Sequence, residues 1–293
     1  MPFAGLRVLS LESRRAKEIE GMIRRLDGDA FVAPSVQERA LEDHRDAIRF
    51  VERLDRGEFD LVVCMTGAGL AFLRDVVAAH MPLERLAEGL RRATIVARGP
   101  KPVPILRAMD VPVHVVVPEP NTWKEIVEAI AIRPERRIAV QEYGRPNLEM
   151  NSALEALGAQ VTPVAIYRWE LPSDREPLRE AARRLARGQI DVAIFTSSIQ
   201  FDHLLEIARE LGIEARVLET LREEVAVASV GPVMTATLAS HGIPPDIIPL
   251  HPKMGSLVKA AADLAPEIVS SKRSRHGSSH PTTPGLIDRG MPL

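Results

Sequence analysis

Short, almost wholly apolar runs alternate along this chain with amphipathic stretches of roughly ten to fifteen residues. That is the pattern of parallel α/β units, in which helices cover both faces of a sheet. The runs predict strands at Arg7–Ser10, Ala30–Ala33, Leu61–Met65, Thr94–Ala97, Val113–Val116, Arg137–Gln141, Val161–Val164, Val192–Phe195, Ala226–Val230 and Ile247–Ile248. Between them apolar positions recur at helical spacing: Ile19, Met22, Ile23 and Leu26 within Arg14–Leu26, and Leu204, Leu205, Ile207, Ala208 and Leu211 within Ile199–Leu211. Asn121 and Thr122 before Trp123, and Asn147 before Leu148, suit helix N-caps. The strands divide into two five-stranded, doubly wound sheets. Ala33–Arg39 and Tyr167–Pro172 fit neither period and read as connections. From Ser270 to Leu293 the chain has too little apolar content to pack, so a disordered tail is expected there.

The pattern also repeats. Gly57-Glu58-Phe59-Asp60 leads into Leu61–Gly67, and Gly188-Gln189-Ile190-Asp191 leads into Val192–Ser198, about 131 residues further on. Thr94–Pro100 recurs as Ala226–Pro232, Leu106…Pro112 as Leu238…Pro244, and Arg7-Val8-Leu9 as Arg137-Ile138-Ala139. Solenoid units recur every 20 to 50 residues or so, and this period is far longer. It marks two domains of one design, and paired domains commonly bind ligand in the cleft between them.

Composition narrows the function. A net charge of −2 argues against a general nucleic-acid or membrane-surface role, and 4% aromatic residues give no base-stacking platform. No apolar run is long enough to span a bilayer, Arg7 and Glu12 interrupt any N-terminal signal, and the single Cys64 fits a reducing cytoplasm. No GxGxxG follows the first strand and no GxxxxGK[ST] occurs, so those nucleotide motifs have no support. His241, His251, His276 and His280 are scattered, so a metal site has no ligand cluster. Cys64 lies in a strand pattern and reads as a small core residue. Ser197 and Ser198 lack a GxSxG elbow.

In a doubly wound sheet, ligands bind beyond the carboxyl ends of the strands. That rule selects Ser10–Arg15, Thr66–Gly69, Arg98–Lys101, Glu142–Arg145, Thr196–Ser198, Gly231–Met234 and Pro252–Met254. These loops lead into helices and offer N–H groups at positive dipole ends, suited to anions. Arg14, Arg15, Arg98, Lys101, Arg145 and Lys253 lie in them, so a small polyanionic ligand is expected. The same loops also fit ordinary strand-to-helix turns carrying solvated cations.

Taken in order, several segments resemble the uroporphyrinogen-III synthase family. They are Asp191–Ser197, Val164–Arg168, Ser229–Pro232 with Thr235 and Leu238, Gly242–Asp246, and Met254–Val258. The N-terminal half matches more loosely: Leu11-Glu12-Ser13-Arg14-Arg15 stands where the family commonly has Thr-Arg-Pro, and Thr66-Gly67 where Thr-Ser is usual. The resemblance implies two doubly wound, parallel-sheet, flavodoxin-like α/β domains joined by a two-stranded connection, with the first βαβ unit grouped with the C-terminal half. Domain 1 is then residues 1–35 with 172–269, and domain 2 is 36–171.

The function implied is cyclisation of hydroxymethylbilane to uroporphyrinogen III, in tetrapyrrole biosynthesis, with loss of water and inversion of ring D through a spirocyclic intermediate. No metal or redox cofactor is implied. A cytoplasmic monomer is expected, with transient hand-over from hydroxymethylbilane synthase. Tyr167 matches the family's cleft tyrosine and is the candidate proton donor, with packing at a hinge as its other reading. Thr66, Gly67, Gly144, Thr196, Ser197, Ser198, Gly231 and Met254 join the cations as candidate substrate contacts. A weakened relative that binds tetrapyrroles or small anions in a regulatory role remains the alternative, because of the altered Leu11–Arg15 loop.

Overall fold

A computed structural model of the protein describes residues 2–41, 43–142, 144 and 146–277. The chain begins with β1 (Arg7–Ser10), α1 (Ala16–Arg25) and β2 (Asp29–Val32). It continues through β3 (Gln37–Ala40), α2 (Arg45–Asp55), β4 (Leu61–Cys64), α3 (Gly67–His80), α4 (Leu83–Arg91), β5 (Thr94–Ala97) and α5 (Val103–Ala108). Then come β6 (Val115–Val116), α6 (Trp123–Ala131), β7 (Arg137–Gln141), α7 (Leu148–Ala156), β8 (Gln160–Val164) and β9 (Tyr167–Glu170). The last elements are α8 (Glu176–Ala186), β10 (Val192–Phe195), α9 (Ser198–Glu210), α10 (Glu214–Glu223), β11 (Ala226–Ser229), α11 (Pro232–Ser240) and α12 (Met254–Gly277).

Two compact units result. Unit 1 runs to Val36 and resumes at Pro172; unit 2 is Gln37–Leu171. Unit 2 holds a parallel sheet ordered β6-β5-β4-β7-β8, and the antiparallel pair β3-β9. Its apolar residues pack on both faces. Val62, Cys64, Ile95 and Ala139 meet α2, α3 and α4 on one side, while Leu61, Val63, Val96 and Val140 meet α6 and α7 on the other. Unit 1 holds a parallel sheet ordered β11-β10-β1-β2, with Val8, Val192, Ile194 and Ala226 packed under α1 and α12. Each fully buried valine, leucine or isoleucine among them stabilises the fold by about 1.5–3 kcal/mol.

The grouping of the strands crosses the sequence repeat. β1 and β2 open the first repeat but pair with β10 and β11 of the second. β7 and β8 open the second and pair with β4 and β5 of the first. Counted from the opening strand of a repeat, unit 2 reads β8-β7-β4-β5-β6 and unit 1 reads β2-β1-β10-β11, both the flavodoxin-like order 2-1-3-4 with β6 as the fifth strand of unit 2. The expected fold class, including the first βαβ unit beside the C-terminal half, is the one observed.

Matching ion pairs sit at the start of the exchanged strands. Arg7 donates to Asp191 through its backbone N–H (2.8 Å), Nε (3.0 Å) and Nη2 (2.6 Å). Arg137 donates to Asp60 in the same manner, through its backbone N–H and guanidinium. Burial opposes ionisation of Asp191, but the Arg7 hydrogen bonds outweigh it and, with Arg273 nearby, hold its carboxyl below the usual range. At Asp60 the Arg137 hydrogen bond dominates and acts in the same direction.

Three expectations need correction. Ile247–Ile248 does not form a fifth ladder strand in unit 1, because Ile247 makes only an isolated bridge to Ala228. Pro244, Pro245 and Pro249 flank it, and proline supplies no N–H to extend a ladder. The strand expected over Val113–Val116 pairs only at Val115–Val116. One residue earlier, the His114 imidazole accepts from the Ile95 N–H (3.0 Å), the place a strand carbonyl would take.

The tail is the third correction. Residues 270–277 are helical rather than disordered, forming the last turns of α12, while 278–293 lie outside the described residues. Polar docking replaces apolar burial here. Lys272 Nζ reaches the Val225 carbonyl (2.8 Å) and Asp246 (2.7 Å), and Arg273 pairs with Asp191. The Lys272 alkyl stem packs away while its ammonium keeps polar partners.

Asp191→Ala is expected to cost about 3 kcal/mol and Asp60→Ala about 1 kcal/mol, because the Asp191 side chain is 6% exposed and that of Asp60 32%. The folded state holds the Asp191 proton more weakly than the unfolded chain does. Its contribution is therefore complete above about pH 4 and fades as pH falls further. Urea titrations at pH 7 and pH 3 check both statements. Lys272→Ala is expected to lower the thermal midpoint, since it strips partners from Asp246 and the Val225 carbonyl. Differential scanning calorimetry would show an unchanged midpoint if the helix end were only loosely docked.

Candidate active site

In each sheet the strand order reverses once, between β1 and β10 in unit 1 and between β7 and β4 in unit 2. A crevice opens beyond the carboxyl ends at such a switch point. In unit 2, β4 leads through Met65 to Thr66, which caps α3: Thr66 Oγ1 accepts from the Gly69 N–H at 3.0 Å. The Thr66 N–H donates to the buried Gln141 side chain (3.2 Å), and Thr66 Oγ1 lies 3.1 Å from the Tyr167 hydroxyl. Gly69 makes room for Gln141, since a Cβ there would fall 2.0 Å from the amide nitrogen.

Unit 1 solves the same turn from the other side. At the positions of Gln141 and Gly69 in the repeat it has Leu11 and Gln200. The Gln200 amide reaches back to the turn, accepting from the Thr196 N–H (2.9 Å) and donating to Thr196 Oγ1 (2.8 Å). Each turn is thus held by one buried glutamine, Gln141 from the strand and Gln200 from the helix. Ser197 is the N-cap of α9, yet its side chain makes no cap hydrogen bond. Its hydroxyl is not spent on its own helix.

The other expected residues distribute as follows. Tyr167 is buried, 3% exposed, and stacks on Phe72 with ring centroids 5.4 Å apart. Gly67 abuts the Lys101 carbonyl, and the Arg98 N–H donates to the Cys64 carbonyl, so these two loops meet the Thr66 turn. Gly144 bridges Arg168 at φ +72°, and a Cβ there would strike the Trp169 ring at 2.2 Å. Arg145 lies outside the described residues. In unit 1, Thr196, Ser197 and Ser198 open α9, and Arg14 and Arg15 lie exposed after β1. Arg15 pairs with Glu18. Gly231 faces Pro252, bringing the loop of Lys253 and Met254 beside the end of β11; Met254 itself packs into the core. Cys64 is fully buried, and burial pushes its thiol up to about 12, which leaves it inert as a nucleophile.

Two glutamates inside the selected loops escaped the sequence reading as site residues. Glu12 and Glu142 occupy equivalent positions in the repeat, each just beyond the opening strand of its sheet and beside the strand that carries the hydroxyl turn. Glu12 accepts from Thr196 Oγ1 at 2.5 Å. Glu142 is 8% exposed, and burial raises its carboxyl above the ordinary glutamate range. The signal was present in the repeat alignment, but neither residue belongs to a motif.

The chain is a duplicated α/β protein built from two related units, each with a hydroxyl-bearing turn at its switch point. The chain belongs to the uroporphyrinogen-III synthase HemD family, whose model matches residues 17–259. The Leu11–Arg15 loop falls outside that match. A Bacillus subtilis protein of uncharacterised function, YjjA, is 25% identical over 261 residues, covering 87% of this chain and 94% of the relative. A Methanothermobacter thermautotrophicus protein, provisionally named a uroporphyrinogen-III synthase, is 28% identical over 233 residues, covering 78% and 87%. A mutant uroporphyrinogen III synthase from Thermus thermophilus shares the fold with a TM-score of 0.69 at 24% identity, over 92% of this chain and all of that one. Among the described residues, no helix is long and apolar enough to cross a membrane.

Because the folded state binds the Glu142 proton more tightly than the unfolded chain, stability falls as pH rises above the ordinary glutamate value near 4.3. Glu142→Gln is therefore expected to raise the unfolding midpoint at pH 7 and to match the parent below about pH 4. A midpoint lowered at pH 7 would mean that the ionised carboxylate is a structural ligand.

Proposed function

We propose that this protein converts hydroxymethylbilane, a linear tetrapyrrole bearing eight carboxylates, into uroporphyrinogen III. Water leaves, the macrocycle closes, and ring D is inverted. The observation that carries this reading is the family match across residues 17–259, which includes the Thr66, Tyr167 and Thr196–Ser198 positions. The chemistry asks for little more than positioning, because the substrate closes unaided to the wrong isomer. Turns rich in hydroxyl and N–H groups suit that task.

Tyr167 is the proposed proton donor. The Gly69 N–H donates to Thr66 Oγ1, and the Thr66 and Tyr167 hydroxyls share a hydrogen bond of 3.1 Å in which either oxygen can donate. Such a chain polarises the tyrosine proton for donation. It passes to the departing hydroxyl as the C–O bond breaks, and water leaves. The proton lost from the ring carbon that forms the closing C–C bond restores the tyrosine. Ser197, whose hydroxyl makes no cap bond, is proposed to hold a substrate carboxylate, as are Ser198 and the N–H groups of Gly231 and Met254.

A second reading has one observation in its favour: Glu12 already occupies the Thr196 hydroxyl. On that reading the chain binds a tetrapyrrole without turnover. An assay coupled to hydroxymethylbilane synthase separates the two, since an enzyme yields isomer III and a binder leaves isomer I.

In that assay Tyr167→Phe is expected to lower turnover roughly 10- to 100-fold, at or below the low end for a positioned acid. Ser197→Ala should instead weaken binding by about 0.5–1.5 kcal/mol. Steady-state kinetics with the product isomers resolved by chromatography checks both. Full activity in Tyr167→Phe, with Ser197→Ala inactive but folded, would reassign the proton donor.

A further inference from the structure

Glu12 stands just past the end of β1, beside the turn that opens α9 in the same unit. Its carboxylate accepts three hydrogen bonds: from Thr196 Oγ1 at 2.5 Å, from Gln200 Nε2 at 3.4 Å and from the Arg15 backbone N–H at 3.2 Å. These donors are a hydroxyl, an amide and a main-chain N–H, the set with which a strand-to-helix turn at a switch point grips an anion. The nearby Arg15 guanidinium is turned to Glu18. Gln200 is fixed in place by its two bonds to Thr196, so the donors are preset rather than gathered by chance.

We infer that Glu12 is a built-in carboxylate competitor, which sets the specificity of the unit 1 turn by holding the Thr196 and Gln200 donors that an incoming carboxylate would use. The inference rests on the proposed reading of that turn as a carboxylate contact, and it goes further by naming what the ligand must displace. An entering carboxylate meets a like charge at hydrogen-bond range, and it gains Thr196 only when Glu12 swings out. Ligands with several carboxylates, anchored elsewhere, can meet that cost; single carboxylates and small anions cannot. The device thus selects polycarboxylates over abundant simple acids.

The test measures binding of uroporphyrin I, an octacarboxylate, by fluorescence quenching in four proteins: the parent, Glu12→Ala, Glu12→Gln, and Glu12→Ala combined with Thr196→Val. Acetate at millimolar concentration serves as competitor. Glu12→Ala is expected to bind uroporphyrin at least about tenfold more tightly, since like charges in contact cost several kcal/mol and each 1.4 is a factor of ten. The isosteric Glu12→Gln should gain in the same direction, the Thr196→Val combination should lose the gain, and acetate should compete only where Glu12 is absent. Equal or weaker binding in both Glu12 variants overturns the inference while leaving the proposed reaction untouched. So does a fall in kcat for Glu12→Gln at constant KM, which would make Glu12 part of the chemistry. Failure of the parent to form isomer III, with the affinity gain present, overturns the reaction and keeps the competitor. No binding by any of the four overturns both.

Discussion

Two arginine–aspartate pairs, Arg7–Asp191 and Arg137–Asp60, hold the opening strand of each repeat against the neighbouring strand of the other. Every later feature depends on that exchange. It places the end of β1 beside the end of β10, and the end of β7 beside the end of β4, which creates the two switch points. Without it Glu12 would not meet Thr196, and Gln141 would not meet Thr66. The pairs are bidentate and charge-assisted, and each also involves the backbone N–H of its arginine. They therefore fix strand register as well as proximity.

The two turns show how a duplicated design diverges without losing its geometry. A buried amide is needed to satisfy the N–H that follows each central strand, because such a group left without a partner costs about 1–3 kcal/mol. Unit 2 supplies it from the strand and clears space with Gly69; unit 1 supplies it from the helix and fills the strand position with Leu11. The glutamine changes sides between the two units while the amide-to-turn contact is kept. The hydroxyls of the two turns also have different partners. Thr66 is committed to its helix cap and to Tyr167, whereas Ser197 makes no cap bond and Thr196 answers to Glu12.

The carboxylates beyond the opening strands carry the same lesson into electrostatics. Glu142 is kept buried although burial disfavours its charge, and Glu12 is kept among neutral donors. The Glu142 placement is not what stability alone selects, and groups held at such a cost cluster where a protein binds or reacts.

Much of this was legible in the residues. The apolar runs located β1, β5, β7 and β10 to the residue, because strands covered on both faces must be continuously apolar. Thr122 and Asn147 capped the helices they precede, since capping is decided within one turn of chain. The tail was misread because Lys272 and Arg273 dock through charge and hydrogen bonds, which apolar content does not register. The fifth strand of unit 1 failed because ladder formation depends on N–H groups that its flanking prolines lack. The exchange itself lay beyond local inference: Arg7 finds the same partner chemistry in Asp60 as in Asp191, and Arg137 likewise. A repeat makes the two pairings equivalent in sequence, so local sequence determined the elements, the turns and their chemistry. Only the tertiary structure chose which copy of each aspartate an arginine meets, because that choice rests on strand packing summed over whole sheets.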